Sequence, residues 1–154
     1  MTERSIAHGT FVITRTYPAS AARIFKAWAD PAIKSRWFGG GGSDTKVFEF
    51  REGGREFAEG AGPNGAAYTF DVLYQDIVEA SRIVYTYHMT MGGKRLSVSV
   101  AAIELFPEGD NSTRMQITEH GCFLDGLDTV EQRKQGTEWL VGELGKELER
   151  QQGN

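Results

Sequence analysis

The chain has 154 residues, 40% of them hydrophobic and 25% charged, a balance that supports one buried core and excludes a disordered chain. Its formal net charge is −4, and its only close basic pairs are Lys94-Arg95 and Arg133-Lys134. Phosphate binding needs a concentrated basic surface, so no nucleic-acid partner is expected. No apolar run approaches the roughly 20 residues of a membrane span, so no membrane partner is expected either.

Residues 1–9 are polar, lack the apolar stretch of an export signal, and are expected to form a flexible leader. Residues 10–17 are β-branched and aromatic, with Phe11, Ile13 and Tyr17 on one face, which predicts a strand. Pro18 ends it, because proline has no N–H for a ladder. Ser20 is placed to cap a helix running to Ala29, whose Ile24, Ala27 and Trp28 recur at helical spacing. Asp30-Pro31 then predicts a cap and first helical position for a short helix through Trp37. Gly39 to Gly42 with Ser43 reads as a plain loop. A phosphate cradle would follow a strand, open a helix and end in Lys-Ser/Thr.

The next strand is expected at Val47 to Phe50, turning at Gly53-Gly54 into a short partner from Arg55 to Glu59. Residues 67–78 put Tyr68, Phe70, Val72 and Tyr74 on one face, and residues 82–91 do the same with Ile83, Tyr85, Tyr87 and Met89. Met91-Gly-Gly-Lys94 reads as a hairpin turn. Strands over Leu96–Phe106 and Thr113–His120 are joined across the turn formers of residues 107–112. Cys122 is the sole cysteine, so no intrachain disulfide can form and a reducing, cytoplasmic compartment is expected. The last element is a helix from Thr129 to about Arg150, with Val130, Thr137, Leu140, Val141, Leu144 and Leu148 in one stripe. Its Gly136 lies close to that stripe, and Gly142 and Gly145 lie away from it. Trp139 points off the stripe, towards a sheet edge, a loop or a second copy in a homodimer.

This element order leaves many strands and few helices to cover them. A curved sheet can wrap the terminal helix without touching it everywhere, which leaves an internal pocket. The expected lining is Tyr68, Phe70, Tyr74, Tyr85, Tyr87 and Met89 from the strands. Trp28 and Trp37 join from the short helices, and Leu140 and Leu144 from the terminal one. Such a wall suits a small apolar molecule. The alternative is a solid core filled by the same aromatics.

Several short motifs appear in a fixed order. They are Arg15-Thr-Tyr-Pro-Ala19, Ile24-Phe-Lys-Ala-Trp28, Asp30-Pro31 and Arg36-Trp-Phe-Gly39. Phe50-Arg-Glu-Gly-Gly54, Arg82-Ile-Val-Tyr-Thr86 and the stretch from Gly136 to Leu144 follow. The series, which covers nearly the whole chain, resembles the START-like (SRPBCC) superfamily. Within it the match is to the branch related to the C-terminal domain of activators of the heat-shock-protein-ninety ATPase. The resemblance implies one START-like domain over residues 1–154 with an α+β helix-grip fold. In that fold a curved antiparallel sheet of about six or seven strands surrounds a long C-terminal helix, and two short helices follow the first strand. It implies binding of a small hydrophobic ligand, as carrier or sensor. Two alternatives are a cyclase, aromatase or hydrolase acting on a cyclic substrate, and co-chaperone-like stimulation of a heat-shock ATPase. The four glycines before the second strand depart from the Gly-Pro-like step usual after Trp-Phe.

No catalytic residue, metal site or cofactor is expected from the residues themselves. His8 falls in the leader, His88 opposite Tyr87, and His120 beside Cys122 in a spacing too short and too isolated for zinc. Asp44, Asp71 and Asp76 read as surface carboxylates. Glu49 and Arg51 read as an ion pair beside the paired glycines. An enzyme of this superfamily would use Arg15, Tyr68 and Glu119 as its polar cavity residues.

Overall fold

Period-two alternation builds the first strand, β1 (Ile6–Tyr17), which buries Phe11, Ile13 and Tyr17 and turns the intervening residues outward. The computed structural model describes residues 4–38, 43–61 and 65–152. The strand starts four residues before the predicted boundary. Residues 6–9, expected in the leader, pair with the seventh strand from Ile6 opposite Leu124 to Gly9 opposite Gly121. The side chains of Ile6, Ala7 and His8 are exposed and give no buried alternation to read, while the backbone is held by the ladder.

Ser20 caps α1 (Ala21–Ala29) by accepting a hydrogen bond from the Arg23 N–H at 3.2 Å. Asp30 serves two helices. Its N–H closes α1 on the Lys26 carbonyl, and its carboxylate accepts from the Ala32 and Ile33 N–H groups of α2 (Pro31–Trp37). The glycine loop at 39–42 lies outside the described residues. Next comes β2 (Ser43–Phe48), displaced towards the N-terminus from the expected 47–50. It is followed by β3 (Arg55–Ala61), β4 (Ala67–Val78), β5 (Arg82–Met91), β6 (Lys94–Pro107) and β7 (Thr113–Leu124). The last strand runs four residues past His120. Gly121 sits on the inner face, where an added Cβ would meet Ser99 Oγ at 2.9 Å. The β5–β6 hairpin turns on Gly92 and Gly93, both at positive φ (59° and 80°), which glycine adopts without steric cost.

The described strands form one antiparallel sheet in the order β1-β7-β6-β5-β4-β3-β2. Register shifts at Thr45/Val47, Tyr74/Asp76 and Met89/Thr90 put an extra residue into one strand of a pair, which bends the sheet. The last helix, α3 (Val130–Gln152), starts with Thr129, whose hydroxyl accepts from the Gln132 N–H. It packs along β1, α1 and α2. The Tyr17 hydroxyl donates to the Val141 carbonyl at 2.7 Å, and Arg23 donates to the Leu148 carbonyl at 2.9 Å. Gly145, predicted to lie off the core, faces the Tyr17 ring, which an added Cβ would meet at 3.3 Å. The fold is the expected α+β helix grip. Away from β1 the helix stands off the middle of the sheet, and that gap is the cavity.

Candidate functional site

A cavity of about 320 Å³ lies between α3, α2 and the inner faces of β2 to β5 and β7. Its size falls within the usual range for small-molecule sites. Eight of the ten predicted lining residues surround it. Tyr68, Phe70, Tyr85, Tyr87 and Met89 come from the sheet, Trp28 and Trp37 from α1 and α2, and Leu140 from α3. The other two lie behind the wall. Leu144 is fully buried one turn beyond Leu140, in the core between α3 and the sheet. Tyr74 packs its ring on Phe50 (centroids 5.0 Å apart) and Tyr85 (6.0 Å), and its hydroxyl donates to Glu56.

The wall is a continuous set of ring contacts. Trp28 meets Trp37 edge-on at 4.8 Å, Phe38 meets Phe70 at 5.3 Å, and Phe70 meets Tyr87 at 5.0 Å. Offset and edge-on contacts of this kind hold rings in place beyond their area burial. Trp139, half exposed at 52%, also lines the cavity, as does Gly136, whose missing side chain leaves open space.

Charged groups enter this aromatic chamber from two sides. On one side Lys34 Nζ lies 2.8 Å from Glu56 Oε1 and 4.4 Å from the Phe38 ring centroid. On the other, Arg133 binds Asp128, Ser97 and the Tyr87 hydroxyl, each at 2.8 Å. That hydroxyl in turn donates to Glu119 Oε2 at 2.7 Å. Burial pushes the Glu119 carboxyl above the usual carboxylate range, and the Tyr87 hydrogen bond and the Arg133 charge offset this only in part. Burial and the Glu119 charge also raise the Tyr87 phenol. The Tyr85 phenol is raised by burial and by the neighbouring Tyr87, Glu119 and Glu56, so both tyrosines stay neutral hydroxyls.

The apolar reading of the sequence missed Lys34, Glu56, Asp128 and Arg133. Two of them carried a signal. Lys34 shares the inner face of α2 with Trp37, three residues on, and Arg133 falls on the same stripe as Thr137 and Leu140. A charge on an apolar stripe marks either a buried ion pair or a site. Of the three polar residues an enzyme would use, Tyr68 and Glu119 line the cavity, whereas Arg15 is exposed on β1.

The histidine and cysteine side chains lie elsewhere. His8, expected in the leader, pairs across the ladder with Cys122 (Nδ1 to Sγ 3.6 Å), and His120 bonds Thr10. These residues alternate with the buried ones and so occupy the outer face of the sheet. Asp71 and Asp76 pair with Arg55 and Arg82 at the surface, and Glu49 pairs with Arg51 beside Gly53. The side chain of Asp44 lies outside the described residues. Among the described residues no group of three or more His, Cys, Asp or Glu could hold a metal ion. None of their helices is long and apolar enough to cross a membrane.

Residues 18–149 match the family model described as activator of Hsp90 ATPase homolog 1-like protein. A solved structure from Rhizobium leguminosarum is 38% identical, with 97% of this chain and 99% of that one covered and a TM-score of 0.90. One from Rhizobium loti is 42% identical, with 93% and 99% covered and a TM-score of 0.86. A third, from Chromobacterium violaceum, is 21% identical over 89% and 94% with a TM-score of 0.76, and shares the fold. No curated protein matches the chain.

Proposed function

Because the chain belongs to the activator of Hsp90 ATPase homolog 1-like family, we propose that it binds a small hydrophobic molecule in the cavity between α3 and the sheet, as a carrier or sensor. The fold of this family commonly binds hydrophobic ligands. The observation that carries the reading is the aromatic wall around about 320 Å³ of space. A chamber of that volume lined by Trp28, Trp37, Phe70 and Tyr85 gives up dispersion contacts while empty and regains them when filled. The sole cysteine, Cys122, supports a reducing compartment such as the cytoplasm.

Native mass spectrometry of the purified protein, followed by extraction, tests the proposal directly. A bound small molecule is expected, and it should be displaced by an aromatic competitor. Gly136→Phe adds a side chain into the open space beside this lining residue and should abolish binding while the fold persists. Retention of full affinity by that variant, with its helix content unchanged, would place the ligand elsewhere. The three tryptophans all line the cavity, so their emission reports occupancy without a label.

A further inference from the structure

We infer that the guest of this cavity is a cation, an aromatic or alicyclic amine whose ammonium group sits against Glu119. The inference rests on the ligand-binding reading above and adds the charge of the ligand.

Five charged side chains enter the cavity among the described residues: Lys34, Glu56, Glu119, Asp128 and Arg133. Four of them neutralise one another in two close pairs, Lys34 with Glu56 and Arg133 with Asp128. Glu119 is the fifth. The Arg133 guanidinium comes no closer to it than 3.9 Å, beyond hydrogen-bond distance, and is already committed to Asp128, Ser97 and Tyr87. The cavity therefore carries one carboxylate in excess.

The hydrogen bonds lead to the same conclusion. Tyr87 accepts from Arg133, so its own proton must go to Glu119 Oε2. Glu119 Oε1 has no partner among the described residues, although the residue is only 4% exposed. Glu56 is used the same way, with Lys34 and Tyr74 both on Oε1 and no partner for Oε2 among the described residues. The Tyr85 hydroxyl, on a residue 7% exposed, also has no partner among the described residues and can accept or donate. Against these acceptors stands one buried donor without a partner on a lining residue, the Trp28 indole N–H, so the balance calls for a ligand that brings mainly donors. An ammonium brings three N–H groups and a charge. Phe70, Tyr85 and Tyr87 supply ring surfaces that attract a cation and exclude water around it. A carboxylate guest would meet the excess negative charge at Glu119 and be repelled.

Three probes of one shape separate the possibilities: naphthylmethylammonium, naphthylmethanol and naphthoate, titrated against tryptophan emission at near-neutral pH. The ammonium is expected to bind about tenfold more tightly than the alcohol, with naphthoate weakest. Glu119→Gln should bring the ammonium to the level of the alcohol and leave the alcohol within about twofold. In the unmodified protein, affinity for the ammonium should fall as pH is lowered and Glu119 takes up its proton. Affinity for the alcohol should stay level. This second measurement needs no variant to fold.

Equal affinity for ammonium and alcohol would overturn the charge assignment and leave the cavity reading standing. So would tightest binding of naphthoate. A Glu119→Gln variant that weakens both ligands alike would assign Glu119 to the shape of the wall and also overturn the inference. Binding of none of the three would remove the cavity reading and the inference with it.

Discussion

Glu119 shows how one side chain couples site and stability. Its carboxyl is held above the ordinary value of 4.5, so the fold disfavours its ionised form. The stabilisation from holding its proton is full below about that value and is lost as pH rises through the raised one. Glu119→Gln keeps an acceptor for Tyr87 and removes the titration. The variant should match or exceed the parent in melting temperature at neutral pH and lose its advantage in acid, a difference read from paired thermal melts across pH. Lys34 stands in the opposite position. It is buried with Glu56, and Lys34→Met would leave that carboxylate and the Tyr74 hydroxyl without their cation. A loss of about 3–5 kcal/mol is expected in denaturant titration, because a broken buried pair leaves an uncompensated charge. A loss below about 1 kcal/mol would mean that the pair is solvated, as surface pairs are.

Among the elements, α3 combines two demands. Its C-terminal half packs on β1, α1 and α2, while its N-terminal half lines the cavity. Glu147 locks the packed half. Burial would raise its carboxyl, yet hydrogen bonds from Gln151, Arg150 and Arg36 outweigh burial and hold it below the usual range. The glycines on and under this helix differ in their surroundings. Gly142 has nothing within 4 Å of an added Cβ, so Gly142→Ala should stabilise by about 1 kcal/mol through helix propensity alone. Gly9, on β1, lies directly under Val130, and an added Cβ would come within 2.6 Å of the Val130 Cβ. Gly9→Val should therefore push the start of α3 away and destabilise. Urea titrations of the two variants should shift in opposite directions. A shift of Gly9→Val towards greater stability would contradict this packing.

For the whole molecule, topology sets the folding problem. Strands β4 to β7 are joined by hairpins, but β1 must find β7 across the whole of residues 18–112. Closing so long a loop before any contact rewards it makes folding slow. Refolding followed by tryptophan emission should take milliseconds to seconds rather than microseconds. A microsecond phase of full amplitude would mean that the β1–β7 pairing contributes nothing to the barrier.

What the amino-acid order determined by itself was the set of elements and their inward faces. Period-two runs such as Ile83-Tyr85-Tyr87 and caps such as Ser20 and Asp30 act through neighbours in the chain, so they can be read from it. The aromatic wall followed from the same alternation, and with it most of the candidate site. Boundaries were missed where solvent-facing or glycine residues belong to a ladder, as at Ile6–Gly9 and at Gly121. Only the tertiary structure decided which wall residues face space. Tyr74 and Leu144 share their stripes with lining residues, yet they sit behind them because α3 approaches the sheet on one side alone. The charge of the chamber was likewise beyond local reading. Lys34 and Glu56 are 22 residues apart, Glu119 and Arg133 come from different elements, and a pair balances only when folding brings its members within Coulomb range. With two cations facing three carboxylates, one negative charge remains in excess at Glu119 after that pairing.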